Sequence, residues 1–206
     1  WADFWDVAKY PGKRGLRQGV RGNLEIALLA DGVAPAQIYP LLVTEAGVAR
    51  AFAKLDGIRG NLAWWDRGSQ PIQWLANGEI ALSVAYNGRV AAANLDDGRD
   101  LGLVWAQNLS TQDSWVIMRG SPNRAAALDF LRFGGQAAVQ AALPGRIPYG
   151  VTARGAEAAL PVTVLATLPT APNNARTALQ IDDRFWIERI DTLGARFERW
   201  MAAGVR

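Results

Sequence analysis

The chain has 206 residues, of which half are hydrophobic, and a net charge of +3 from 22 Lys and Arg against 19 Asp and Glu. This is an ordinary globular composition, and the basic residues are scattered rather than grouped into the stripe or run that binds nucleic acid. Because it has neither cysteine nor histidine, the sequence excludes disulfides, zinc–thiolate sites and the Ser-His-Asp and Cys-His catalytic arrangements.

The first half of the chain alternates short strands with helices. The predicted elements are a strand, a glycine-bearing loop and a helix over 15–31, helices at 35–43 and 44–56, a strand at 62–66, a helix from Ser69 through Ala76, a strand at 80–86, a helix from about Gly88 to Leu95 and a strand at 101–105. Alternation with short connections predicts an α/β fold with a mostly parallel sheet and helices on both faces.

The second half has a different character. The predicted elements are a strand at 113–118, helices at 122–133 and 136–143, a short strand or helix at 162–168 and a long helix at 183–202. The long helix carries an apolar stripe at 4-3-4-3 spacing, made of Trp186, Ile190, Leu193, Phe197 and Trp200. Since this half has too few strands for a sheet of its own, we expect the stripe to pack on a sheet in residues absent from this chain, upstream of Trp1.

Polar and aromatic side chains follow the predicted parallel strands. The strand ends are residues 17–21, 64–67 and 86–89, and open α/β sheets bind ligands outside the carboxyl ends of their strands. The sequence therefore predicts a small-ligand site that includes Tyr86, Arg89 and Arg21. Trp64 and Trp65 are neighbours on one strand and point to opposite faces, so at most one of them reaches the site, and Trp65 is the candidate.

The order of several motifs resembles a known family. WADFWDVAKYPGKRGLR resembles the start of the second lobe in type II periplasmic solute-binding proteins of the spermidine/putrescine-binding kind, and LANGEIALSVAYNGR resembles a strand of that lobe. QDSWVIMRGSPNRAAALDFLRF resembles the family's return strand and following helix, and IPYGVTARGAEAAL resembles its Tyr-Gly-x-Thr segment. The resemblance extends from Trp1 to the final helix.

This resemblance implies a type II periplasmic-binding-protein fold in which the second lobe is incomplete and the N-terminal lobe is missing. Residues 1–12 would end the first lobe and form a hinge, 13–106 would form the second α/β lobe, and 107–206 would return to the first lobe without its partner sheet. The lobes would close over the ligand by rotation near 9–13 and 105–112.

The resemblance also implies a function and site residues. The protein would be a periplasmic solute-binding component that delivers a ligand from an interlobe cleft to the membrane permease of an ABC importer, without catalysis, cofactor or metal. Carried over by position, Tyr86 and Tyr149 supply aromatic rings and Asp113 supplies an acid. The family's polyamine members carry two acids in the loop after the first strand, where this chain has residues 18–22 with Arg21 and no acid. A zwitterionic amine therefore fits as well as, or better than, a polyamine.

Two other functions stay open at the level of sequence. One is a carboxylate-based enzyme such as a hydrolase, against which stand the absent histidine and the lack of two facing acids. The other is the ligand-sensing domain of a regulator, which can use the same fold. We also expect a truncated chain to form a homodimer that covers the 183–202 helix.

Overall fold

The computed structural model describes residues 1–204, which form two compact units. The first unit comprises residues 1–102 and the chain from Leu179 onwards, and the second comprises residues 103–178. Within residues 1–204, no helix combines the length and the apolar character needed to cross a membrane. The predicted lobe boundaries stay a prediction.

Helices outnumber strands in both units. The helices are α1 (Ala2–Trp5), α2 (Asn23–Ala30), α3 (Ile38–Leu42), α4 (Glu45–Asp56), α5 (Gln70–Ala76) and α6 (Asn87–Asp96) in the first unit, α7 (Arg124–Gly134), α8 (Ala137–Gln140), α9 (Val162–Leu165) and α10 (Pro172–Ala175) in the second, and α11 (Asp183–Ala203) in the first. The strands are β1 (Arg14–Arg17), β2 (Leu62–Trp65), β3 (Leu82–Ser83), β4 (Leu109–Ser110) and β5 (Leu179–Gln180).

A parallel three-stranded sheet forms the centre of the first unit. Its strand order is β2-β1-β3, with Arg17 opposite Trp65 and Gly15 opposite Ser83. Gly15 is required where β1 meets β3, since a Cβ at this position would collide with Ser83 Oγ. The predicted alternation of parallel strands and helices is thereby confirmed.

Helices α2 and α4 show how the sequence positions the layers on this sheet. All eight residues of α2 are buried, which explains why its sequence NLEIALLA is apolar on nearly every side. Helix α4 buries one face that includes Val48, Phe52 and Leu55. Thr44 begins it as predicted, since its Oγ1 accepts a hydrogen bond of 3.0 Å from the Gly47 N–H.

Helix α11 packs on residues of this chain, so the expectation that residues absent from it cover the stripe is wrong. Trp186, Leu193 and Phe197 are all buried, and the Phe197 ring lies 5.4 Å from Trp64 and 6.5 Å from Phe52. An apolar stripe shows that a helix face is buried but not against what. Ile190 of the stripe stays 41% exposed, and the expected homodimer stays a prediction.

A buried carboxylate joins α11 to α2. Glu25 Oε1 accepts hydrogen bonds from Trp186 Nε1 at 2.6 Å and the Tyr39 hydroxyl at 2.9 Å, while Oε2 accepts one from the Gly22 N–H at 2.9 Å. Burial raises the pKa of Glu25, and these three donors oppose the rise. The carboxylate thus fixes the first turn of α2, α3 and the start of α11 relative to one another.

A second buried charge organises the N-terminal segment. The Arg14 guanidinium is fully buried and donates to three backbone carbonyls, those of Phe4 at 2.9 Å, Asp6 at 3.1 Å and Gly12 at 2.5 Å. Burial lowers the pKa of Arg14, and the charge of Asp6 opposes that effect. Residues 4–12, which include part of the predicted hinge, are therefore tied to the first residue of β1.

The second unit is mainly helical and is held by side-chain amides. Asn174 is buried, and its Nδ2 donates to the carbonyls of Leu168 at 2.8 Å and Ala166 at 3.0 Å. Helix α7 begins within the predicted range 122–133 and ends one residue beyond it. Helices α8 and α9 lie inside the predicted ranges 136–143 and 162–168.

Two predicted strands are absent from the described chain. Residues 101–105 and 113–118 are irregular, and Trp115, Val116 and Met118 in the latter are each about three-quarters exposed. A run of apolar and β-branched residues forms a strand only when a neighbour takes up its backbone hydrogen bonds. No strand within residues 1–204 pairs with either segment.

The packing of α11 predicts a contrast between two apolar residues on the same helix. Phe197→Ala removes a buried ring and should lower the free energy of unfolding by about 3–5 kcal/mol. Ile187 is 80% exposed, so Ile187→Ala should change it by less than about 0.5 kcal/mol. Urea denaturation measures both, and equal effects would show that α11 does not pack as described.

The raised pKa of Glu25 predicts a pH dependence of stability. Since the folded protein binds this proton more tightly than the unfolded chain does, the contribution of Glu25 to stability is complete below its usual pKa of 4.5 and is lost as the pH rises through the raised value. The free energy of unfolding of wild type minus that of Glu25→Gln should therefore decrease as the pH rises from about 4. A difference that stays constant or increases would contradict the raised pKa.

Candidate functional site

The carboxyl ends of β1, β2 and β3 meet at one edge of the parallel sheet, and three predicted site residues lie there. Trp65 is the last residue of β2, Tyr86 immediately precedes α6, and Arg89 lies in the first turn of α6. This edge, with the loops 18–22, 66–69 and 84–86 that follow the strands, is called the ligand edge below.

Trp65 and Tyr86 are in direct contact at the ligand edge. Their ring centroids are 5.9 Å apart with the planes at 73°, an edge-to-face arrangement that aromatic pairs favour. Trp65 is almost fully buried, whereas Tyr86 is 44% exposed. The strand therefore ends in a tyrosine that packs one side of its ring on the core and leaves the rest open to a ligand.

Gly68 brings Arg89 into the same group. A Cβ at Gly68 would lie 3.2 Å from Tyr86 Cδ2 and 3.9 Å from Arg89 Nε, so the ring and the guanidinium flank the same point of the β2–α5 loop. The backbone of this loop is fixed by Gln70, whose Oε1 accepts from the N–H groups of Asp66 and Arg67 at 2.9 and 2.7 Å.

The indole N–H of Trp65 is buried and has no hydrogen-bond partner. Leaving a buried donor unpaired costs about 1–3 kcal/mol, so such a group is a candidate for binding something that is not part of the chain. Trp64 has a structural role instead, since its ring packs against Phe197 and Trp200 at 5.4 and 6.1 Å.

The charge at the ligand edge is positive. Arg17, Arg67 and Arg89 follow or end the three strands and are exposed, and none of the ion pairs found within residues 1–204 includes them. The 66–69 loop also contains one acid, Asp66, next to Arg67. Unpaired guanidinium groups at one edge favour an anionic group of a ligand.

The loop between β1 and α2, residues 18–22, adopts a shape that two glycines permit. Gly19 and Gly22 have φ angles of 118° and 87°, a region that other residues rarely adopt. Asn23 is buried, and its Nδ2 donates to the carbonyls of Arg17 and Gly19 at 2.7 and 2.6 Å. The N–H of Gln18 donates to the Trp65 carbonyl at 2.7 Å, so this loop and Trp65 are directly linked.

Arg21 lies in the same loop but is paired within the protein. Its guanidinium forms an ion pair of 2.5 Å with Asp183 at the start of α11. This contact joins the loop to α11 and neutralises the charge that was expected to face a ligand. The predicted contact of Arg21 with a ligand stays a prediction.

The remaining two predicted residues, Asp113 and Tyr149, belong to the second unit. Asp113 is exposed, and the strand predicted at 113–118, which it would begin, is absent. Tyr149 is 37% exposed. The loop after it is fixed by Gln140, whose Oε1 accepts from the N–H groups of Thr152 and Ala153 at 2.9 and 2.8 Å. Their roles in binding stay predictions.

Sequence reasoning missed Glu25 and Asn23, which hold the 18–22 loop. A signal was present, since Glu25 lies three residues after Gly22 at the start of a helix, the spacing at which a glutamate reaches back to the helix start. It also missed a surface cavity of about 380 Å³ beside α4 and α11, lined in part by Thr44, Val48 and Arg189. None of the six predicted site residues lines this cavity. Within residues 1–204, no cluster of acidic side chains could hold a metal ion.

Comparison with known proteins identifies relatives over nearly the whole chain. Residues 1–170 match the family model described as bacterial extracellular solute-binding protein. A gamma-aminobutyric acid-binding protein of Pseudomonas aeruginosa is 47% identical over 202 residues, which are 98% of this chain and 57% of that protein. The chain therefore spans little more than half the length of this relative.

Solved structures give the same result. An ABC transporter substrate-binding protein from Bradyrhizobium japonicum has 34% sequence identity to this chain and a TM-score of 0.86. The match covers 98% of this chain and 62% of that protein. A structure of a receptor for gamma-aminobutyric acid (GABA) has 32% sequence identity to this chain and a TM-score of 0.84. The match covers 98% of this chain and 61% of that receptor. The predicted type II periplasmic-binding-protein-like fold is thereby confirmed.

The family is extracellular, which confirms the predicted periplasmic location. The narrower spermidine/putrescine-binding kind is not confirmed, since the relatives above are named for gamma-aminobutyric acid or for no particular ligand. The match over residues 1–170 and the close relative lead to one conclusion: the chain belongs to the bacterial extracellular solute-binding protein family.

Proposed function

We propose that this protein is the solute-binding subunit of an ABC importer and that its ligand is a small amino acid with separated charges, such as 4-aminobutyrate. The ligand edge binds the carboxylate end of this molecule. The importer's membrane permease is the partner that receives the ligand, and the protein performs no catalysis. The names of the relatives support the ligand class.

The observation that carries the proposal is the unpaired, buried N–H of Trp65, whose ring contacts that of Tyr86. Tyr86 and Arg89 in turn lie close to the same point, Gly68. An indole N–H can only donate, so the group that satisfies it must be an acceptor. A carboxylate accepts from the indole and from a guanidinium at the same time, and such charge-assisted hydrogen bonds are about twice as strong as neutral ones.

The charge of the ligand edge argues against a polyamine. Arg17, Arg67 and Arg89 would repel an ammonium group. The 18–22 loop contains no acid, and Asp66 in the 66–69 loop offsets only part of this positive charge. Two like charges about 4 Å apart repel by about 4 kcal/mol at the effective dielectric of a protein surface. A diamine would meet this repulsion with at least one of its ends, whereas an amino acid directs its carboxylate toward the arginines.

The amine end of the ligand would be held by aromatic and acidic groups. The exposed part of the Tyr86 ring can contact methylenes or an ammonium, and a cation over such a ring gains about 0.5–2 kcal/mol. The sequence predicts Asp113 and Tyr149 for this end of the ligand, and that assignment stays a prediction. The hydrolase and regulator alternatives are not favoured, since the relatives are named as binding proteins.

A matched pair of ligands tests the charge requirement. 4-Aminobutyrate and putrescine have similar length and differ at one end, a carboxylate in the first and an ammonium in the second. Calorimetric titration of the full-length protein should show binding of 4-aminobutyrate and at least about tenfold weaker binding of putrescine. Equal or tighter binding of putrescine, or of spermidine, would contradict the proposal.

A matched pair of tryptophan variants tests the hydrogen bond. Trp65→Phe keeps an aromatic ring but removes the unpaired N–H, and it should weaken binding of 4-aminobutyrate by about tenfold or more, the value of one hydrogen bond to a charged group. Trp64→Phe alters the neighbouring residue, whose ring packs against α11, and should leave the affinity within about twofold. Similar losses in the two variants would show that the N–H does not contact the ligand.

A further inference from the structure

We propose that the first turns of α11 set the shape of the 18–22 loop for ligand binding, with Glu25 as the positioning residue that links them. The inference rests on the proposed function, since it assigns the control of loop geometry at the same ligand edge. Glu25, Trp186 and Tyr39 act through the loop and do not contact the ligand.

Both ends of the loop are fixed by buried side chains of α2. Asn23 holds the carbonyls of Arg17 and Gly19, and Glu25 Oε2 holds the Gly22 N–H. Because Gly19 and Gly22 lack side chains and have positive φ angles, the loop has many alternative shapes available when these bonds are lost. The hydrogen bonds, rather than local sequence preference, therefore select one shape.

The other oxygen of Glu25 leads to α11. Oε1 accepts from Trp186 Nε1 and from the Tyr39 hydroxyl, and the Tyr39 oxygen in turn accepts from the Asp182 N–H at 2.8 Å. Asp182 caps α11 through the Phe185 N–H. One carboxylate thus connects the helix start on one side to the Gly22 amide on the other.

A second contact reaches the loop directly. Arg21 pairs with Asp183, the first residue of α11. Two consecutive residues at the start of this helix are therefore attached, Asp183 to the loop itself and Asp182 to Tyr39, which bonds to Glu25. The loop in turn contacts Trp65 through the hydrogen bond from the Gln18 N–H to the Trp65 carbonyl. A displacement of the α11 start would therefore reach the residue whose N–H is free for the ligand.

The other end of α11 provides an internal control. Trp200 Nε1 donates to Asp56 Oδ1 at 2.8 Å, and the Trp200 ring packs over the Arg59 guanidinium at 3.9 Å. This contact joins α11 to α4 with the same type of hydrogen bond, from an indole to a carboxylate, but it does not include residues of the 18–22 loop. Trp186→Phe and Trp200→Phe therefore each remove one indole-to-carboxylate hydrogen bond, a buried one at the start of α11 and an exposed one near its end.

The experiment combines two measurements on the full-length protein at a temperature where every variant is folded. The first is the hydrogen-exchange rate of the Gly22 amide without ligand, measured by NMR. The second is the affinity for 4-aminobutyrate, measured by calorimetry. Glu25→Gln places an amide against the Gly22 N–H, and we expect Gly22 to exchange at least about tenfold faster and binding to weaken by about 2- to 30-fold.

We expect Trp186→Phe to shift both measurements in the same direction, and Trp200→Phe to change neither by more than about twofold. The proposal is overturned when Gly22 exchange is unchanged in Glu25→Gln, when exchange rises but affinity does not fall, or when Trp200→Phe has the same effect as Trp186→Phe. If the wild-type protein does not bind 4-aminobutyrate, the proposed function fails. Faster Gly22 exchange in Glu25→Gln and Trp186→Phe alone then supports the link from α11 to the loop, and unchanged exchange refutes it.

Discussion

The buried carboxylate of Glu25 is the interaction on which the arrangement of the first unit depends. It lies in a helix that is buried on all sides, and three donors from α3, α11 and the 18–22 loop converge on its two oxygens. A buried charge without such partners would cost several kcal/mol, so the partners are positioned with respect to the carboxylate and thereby with respect to one another. This is why the last helix of the chain packs beside the first strand and its loop.

The ligand edge differs from this network because it contains polar groups without partners. Its Trp65 N–H is buried without a partner, and Arg17, Arg67 and Arg89 lack ion pairs within residues 1–204. Polar groups are well satisfied a few residues away at Asn23, Glu25 and Gln70. Unsatisfied donors beside a rigid, fully bonded support form a preorganised site, since the ordering cost is met by folding rather than by binding. In the function we propose, the positive charge of this edge attracts the carboxylate of the ligand and repels its ammonium.

The sequence was sufficient for the local elements that have their own signals. Thr44 begins α4 as expected, and the alternation of strands and helices predicts the parallel sheet. Tyr86, at the end of the 80–86 segment, lies at the carboxyl ends of the strands as expected, while its role in binding stays a prediction. The sequence was insufficient where the structure of a segment depends on which other segment it pairs or packs with. The apolar residues at 113–118 formed no strand because no strand pairs with them, and the α11 stripe packed on Trp64 and Phe52 because a stripe does not specify its partner. The spacing of Glu25 from Gly22 indicates its bond to the helix start, but its bonds to Tyr39 and Trp186 depend on tertiary packing that the sequence does not show.

The central claim is that Trp65 donates its indole N–H to the carboxylate of the ligand, and the indole resonance of Trp65 tests it most directly. In the full-length protein labelled with nitrogen-15 on tryptophan, this resonance can be assigned by its absence from Trp65→Phe. We expect 4-aminobutyrate to move this resonance strongly downfield, as a new hydrogen bond to a charged acceptor requires. A Trp65 resonance that stays in place while other signals show the protein to be saturated with ligand would contradict the account.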